Sequence, residues 1–173
     1  MQRTGGMYNP VEYGGTIRNC ADGPTPWHSW VSCEETFHLW GSRDDGYKHG
    51  YVFDVPAFGT ASGRRVRAAG GFSQEAVAVD PRTGILHETE DANPCGFYKY
   101  VQPGTSHWRG DRRRGKGPCD GGLYALAIAG ESGRDLRGRE WTGATFYGDR
   151  LFANVQSAGV TFAIRDPWRK GGL

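Results

Sequence analysis

Cys33, Glu34 and Glu35 stand side by side at the end of the stretch NCADGPTPWHSWVSCEE, residues 19–35. Together they offer one soft thiol and two hard carboxylates. A group so rich in anionic donors repels itself unless a cation sits among it. A thiolate with carboxylates suits a transition metal better than calcium alone. The competing account is a buried structural cysteine beside two solvated acids. Two prolines and two tryptophans stiffen the frame ahead of the triplet, which favours the metal account.

Two further acidic groups could add oxygen ligands. Glu75 lies in Ser73-Gln74-Glu75-Ala76, just ahead of an apolar run. Glu88, Glu90 and Asp91 crowd a second run, with Asn93 close behind. Such a group resembles a hard-cation site of calcium type, although the spacing is not that of an EF-hand loop. The bland alternatives are an exposed glutamate and a solvated acidic turn. His28, His38, His49, His87 and His107 form neither an H-E-x-x-H nor an H-x-H pattern. A G-x-S-x-G elbow and a Walker loop are absent, so a serine hydrolase or nucleotide-binding reading has no support.

The elements that must position these groups read as short strands. Of 173 residues, 28 are Gly and 9 are Pro, and 22 are Phe, Tyr or Trp. That composition favours β-structure with tight turns over long helices. Strands are expected from Thr16 to Asn19, Trp30 to Cys33, Tyr51 to Val55, Ala76 to Val79, Ile85 to Glu90 and Phe97 to Val101. More follow from Leu123 to Ala129, Thr142 to Tyr147, Arg150 to Gln156 and Val160 to Ile164. Asp22 to Pro26 reads as a turn-rich loop. Asp80-Pro81-Arg82-Thr83-Gly84 reads as the turn of a hairpin between Ala76–Val79 and Ile85–Thr89. No helical period separates the strands, which argues against a parallel βαβ architecture. The expected fold is all-β and antiparallel, as in a sandwich or propeller blades, in one domain over residues 1–173.

Charge is nearly balanced, with 21 basic and 19 acidic residues, so nothing calls for a nucleic-acid partner. The Arg-rich run within residues 103–122 reads as a solvated loop, with a polyanion-attracting loop as the alternative. No apolar run approaches the roughly 18 residues of a transmembrane span. The first 15 residues carry no signal-peptide pattern, and the compartment stays open. The four cysteines, Cys20, Cys33, Cys95 and Cys119, allow three disulfide pairings. A Cys20–Cys33 bridge would compete with Cys33 as a ligand.

Three blocks of the chain resemble the PhoX-like alkaline phosphatase family, in the family's order. They are RNCADGPTPWHSWVSCEET, GGFSQEAVAVDPRTGILHETEDANPCGFYKYV and LFANVQSAGVTFAIRDPW. The resemblance implies a partial β-propeller, a metal centre of iron and calcium, and hydrolysis of a small-molecule phosphomonoester. It implies Cys33 as an iron ligand with Glu34 beside it, and Glu75 as a second metal carboxylate. It also implies Glu90 or Asp91 near the calcium. Cys33, Glu34 and Glu75 are thus the expected catalytic residues, and Glu35 joins them among the expected metal ligands. Relatives of this kind are exported to the periplasm or beyond the cell.

Departures accompany the resemblance. Gln74 stands where the family usually has His, and His28 where it usually has Gly. The family's upstream Asn-His-Glu block has no counterpart, and the chain resembles a truncated or internally deleted member. The alternative functions are a non-catalytic partial-propeller module, self-associating through exposed sheet edges, and a calcium-binding module.

Overall fold

The structure is a computed structural model, and it describes residues 16–37, 48–102, 122–125 and 139–165. Ten strands among them form three antiparallel sheets. The first sheet holds β1 (Asn19–Pro24), β2 (Ser29–Glu34) and β3 (Val52–Pro56). The second holds β4 (Gln74–Val79), β5 (Leu86–Glu90), β6 (Phe97–Val101) and β7 (Gly122–Ala125). The third holds β8 (Trp141–Tyr147), β9 (Arg150–Val155) and β10 (Val160–Arg165). Every sheet is a meander in which each strand pairs with the next in sequence. Short antiparallel connections of this kind need only turns, which is what the abundant Gly and Pro supply.

The second sheet lies between the other two. Its β4 packs on β1 and β2 from one side and on β8 from the other. Alternation along β4 explains how. Val77 and Val79 join Val31, Cys33, Val52, Leu86 and Tyr100 in one apolar cluster. Ala76 and Ala78 face the opposite way, into a cluster with Phe97, Trp141, Leu151, Ala153 and Val155. A strand buried on both faces loses the polar half of its alternation, and QEAVAV reads accordingly as nearly continuous apolar.

The expected hairpin between β4 and β5 forms, with Ala76 opposite Thr89 and Val79 opposite Leu86. Asp80 builds its turn. One carboxylate oxygen accepts from the Arg82 amide at 2.9 Å, and the other from the Thr83 hydroxyl at 2.8 Å. The main departure concerns the stretch read as a loop after Asn19. The strand continues through Asp22 and Gly23 to Pro24, with an irregularity in register between Cys20 and Gly23. A proline is tolerated there because it ends the strand at the sheet's edge. Leu126 to Ala129, the far part of one expected strand, and the Arg-rich run lie outside the described residues, as do His38, His107 and Cys119.

One glycine is fixed by what surrounds it. Gly50 has φ +94°, and a Cβ there would fall 2.5 Å from the Phe72 carbonyl and 2.9 Å from that of Thr36. Gly50→Ala is expected to cost about 1–3 kcal/mol, from backbone strain and the clash together. Urea unfolding of the variant against the parent measures it.

Candidate metal centre

Three donor atoms converge at one end of the sheets. The Cys20 thiol and one carboxylate oxygen each of Glu35 and Glu75 lie within 4.8 Å of one another, all half-buried. Cys20 comes from β1, Glu75 from β4, and Glu35 from the residue just past β2. Among the described residues this is the one group of three or more such donors at that spacing.

The strands are irregular where they deliver these side chains. Gln74 pairs with Glu90 and Ala76 with Thr89, so Glu75 is the extra residue of a bulge. On β1, Cys20 pairs with Cys33 and Gly23 with Val31, leaving Ala21 and Asp22 opposite Ser32. A bulge bends the strand and re-aims a side chain that strict alternation would send elsewhere.

Mutual repulsion marks the cluster. Burial raises the Cys20 thiol's pKa, and the charges of Glu75 and Glu35 raise it further. Glu35 is raised by burial, by its contact with the Asp91 carboxyl and by the charge of Glu75, against the pull of Arg18. Glu140, just ahead of β8, is raised by partial burial and then by Asp91 and Glu75. A bound cation would relieve that crowding. The donor set of one thiol and several carboxylates fits a metal ion with mixed sulfur and oxygen ligands.

Cys33 and Glu34 stand outside that group of three donors. Alternation along β2 turns Cys33 into the apolar cluster, where its side chain is fully buried. Its thiol donates to the carbonyls of Cys20 at 3.3 Å and Ala21 at 3.6 Å. Burial foremost, then the charges of Asp22 and Glu88, push its pKa far above the usual thiol range. Glu34 points the opposite way and is also fully buried. Its Oε1 accepts from His49 Nδ1 at 2.8 Å and the Ile17 amide at 3.3 Å. Its Oε2 accepts from the Gly50 amide at 2.8 Å and the Tyr51 amide at 3.2 Å. With four donors around it, this carboxylate ties the chain segments of Ile17 and His49–Tyr51 to β2.

The acidic group on β5 divides. Asp91 meets Glu35 at the cluster. Glu90 accepts from the Gly96 amide at 3.0 Å and the Tyr98 hydroxyl at 2.9 Å, and so braces the next turn. Glu88 is fully buried, and neither of its oxygens finds a hydrogen-bond partner among the described residues. Burial raises its pKa to about 8, although the neighbouring Gln74 amide, short of well-formed hydrogen-bond geometry, draws it back. On the other face of β5, burial lowers His87 to about 4.

These two shifts give stability a pH dependence. A carboxyl raised in the fold holds its proton after the unfolded chain has released it. Stability therefore falls as pH rises from the ordinary glutamate value towards 8. His87 acts oppositely, but only between about 4 and 6.5. From pH 6.5 to 8 the Glu88 effect is unopposed by His87. Glu88→Gln is expected to flatten the slope in that window, read as melting temperature against pH.

A family model for the alkaline phosphatase PhoX matches residues 3–134. The chain belongs to the alkaline phosphatase PhoX family. The match includes Cys20, Glu35, Glu75 and Asp91 and stops short of Glu140. Among solved structures, Pseudomonas fluorescens PhoX in complex with vanadate, a transition state analogue, is similar at 21% identity with a TM-score of 0.40. The similarity covers 51% of this chain and 23% of that one, so the chain spans about a quarter of that PhoX. No protein with a curated description matches. No helix among the described residues is long and apolar enough to cross a membrane.

Cys20 is the ligand candidate that sequence reasoning passed over. The expected strand stops at Asn19 and the expected loop begins at Asp22, so Cys20 falls in neither. The signal was there in the pairing of Asn19-Cys20 with Cys33-Glu34 across a hairpin. That register puts Cys20 near the end of β2, where Glu35 emerges.

Proposed function

We propose that this chain carries a metal centre for phosphomonoester hydrolysis, held by Cys20, Glu35 and Glu75, with Asp91 at its oxygen-rich side. The convergence of the three donor atoms within 4.8 Å, in a member of the PhoX family, carries the reading. Iron is assigned to the sulfur side and calcium to the side of Asp91, where carboxylates alone face one another. Bound there, the ions would supply positive charge against the phosphoryl oxygens.

The chain's own residues fix where that charge sits. Glu35 and Glu75 approach from different sheets and hold the site between them. The half-burial of all three donors leaves it open to a small phosphoester. Positioning and electrostatics suffice for such a step, so no side-chain nucleophile is required. In this reading the three meanders are successive blades of a propeller, with β1, β4 and β8 as neighbouring inner strands around the site.

The test is hydrolysis of p-nitrophenyl phosphate with iron and calcium supplied. Turnover should exceed that of Glu75→Gln by at least about 100-fold, since that variant loses a carboxylate ligand. Equal rates for the two proteins would refute the proposal.

A further inference from the structure

We propose that Thr142, on the third sheet, is a positioning residue of the metal centre, holding Glu75 in place through its hydroxyl. The inference rests on the reading of Cys20, Glu35 and Glu75 as a metal site, and extends it to a strand beyond the family match.

The Thr142 hydroxyl donates to Glu75 Oε1 across the gap between β8 and β4, 67 positions apart in the chain. A donor on one oxygen stops the carboxylate rotating and leaves the other oxygen for a cation. A bulge follows directly after Thr142. Thr142 pairs with Asn154, while Thr145 pairs with Phe152, so Gly143 and Ala144 together face Ala153. Gly143 has φ +62°, and a Cβ there would fall 2.6 Å from the Asn154 amide nitrogen. The turn in the backbone at that point therefore needs glycine.

The same device thus occurs three times. β4 is irregular at Glu75 itself, and β1 and β8 become irregular just after Cys20 and Thr142, so each irregularity lies at or beside a residue facing the site. Bulges concentrate beside active sites because they redirect side chains that the pleat would send elsewhere. Next to Thr142, Trp141 anchors the strand. Its ring stacks on Phe97 at 5.3 Å between centroids and meets Phe162 at 5.5 Å. One residue earlier, Glu140 feels the charges of Asp91 and Glu75. The opening of β8 is accordingly part of the site's wall.

Anaerobic titration with ferrous iron tests this on the wild type, Thr142→Val and Thr142→Ser. Valine keeps the shape and loses the donor, and serine keeps the donor. Thr142→Val should bind iron about 10–100-fold more weakly, and Thr142→Ser within a few-fold of wild type. Melting temperatures of the metal-free proteins should agree, while the rise on adding iron shrinks in Thr142→Val alone. Thr142→Ala repeats the comparison should valine disturb the strand. Wild-type affinity in both the valine and alanine variants overturns the role of Thr142 and leaves the metal centre standing. A wild type that takes up no iron overturns both.

Discussion

Cys20→Ser is expected to weaken iron binding by more than about 100-fold and to remove hydrolysis, while Cys33→Ala leaves both within a few-fold. Loss of a direct ligand should exceed the roughly 10–100-fold cost of losing a group that merely orients one. The two cysteines sit directly opposite each other on β1 and β2, so sequence position alone does not separate them. Their surroundings do. Cys20 is half-buried and points at Glu35 and Glu75. Cys33 is sealed among Val31, Val52 and Val77, with its proton directed at two backbone carbonyls. Removing its sulfur should instead cost stability, by about 1–2 kcal/mol. Metal titration and urea unfolding of both variants would separate the ligand from the core residue. Loss of metal in Cys33→Ala and retention in Cys20→Ser would reverse the assignment.

Glu34→Ala is expected to be the most destabilising single change among those considered, at about 3–5 kcal/mol. That is a large share of the roughly 5–15 kcal/mol that holds a domain together. The reason is the number of groups that depend on one carboxylate. Three backbone amides and His49 Nδ1 all direct hydrogen bonds at it. Alanine would leave buried donors to compete for nothing, at the cost of desolvation for each. Urea unfolding checks the magnitude. A loss below about 1 kcal/mol would mean that the four contacts are not held in solution.

Much of the fold was legible because the local signals agreed. Alternation, β-branched runs and turn residues located β2 to β6 and β8 to β10 to within a few residues, and Asp80-Pro81 announced its hairpin. The stretch Asp22-Gly23-Pro24 misled because turn-forming residues also serve in a bulged strand end, and only the partner strand decides between the two. The site was half legible for the same reason. Glu35 and Asp91 stood out by acidic spacing, and Glu75 through the resemblance of Gln74-Glu75-Ala76 to the family's block. Cys33 and Glu34 were equally conspicuous, yet β2 sends one into the core and the other to His49. Spacing shows which residues carry chemistry, but a single-residue change of face decides which of them meet. Thr142 carried no signal at all, since a threonine in a strand is ordinary, and its partner lies on another sheet.

X-ray absorption of the iron-loaded wild type, beside Cys20→Ser and Cys33→Ala, addresses the central claim most directly. One sulfur neighbour with oxygen ligands is expected in the wild type and in Cys33→Ala, and no sulfur in Cys20→Ser. An all-oxygen environment in the wild type, or a sulfur signal that survives the loss of Cys20, would contradict it.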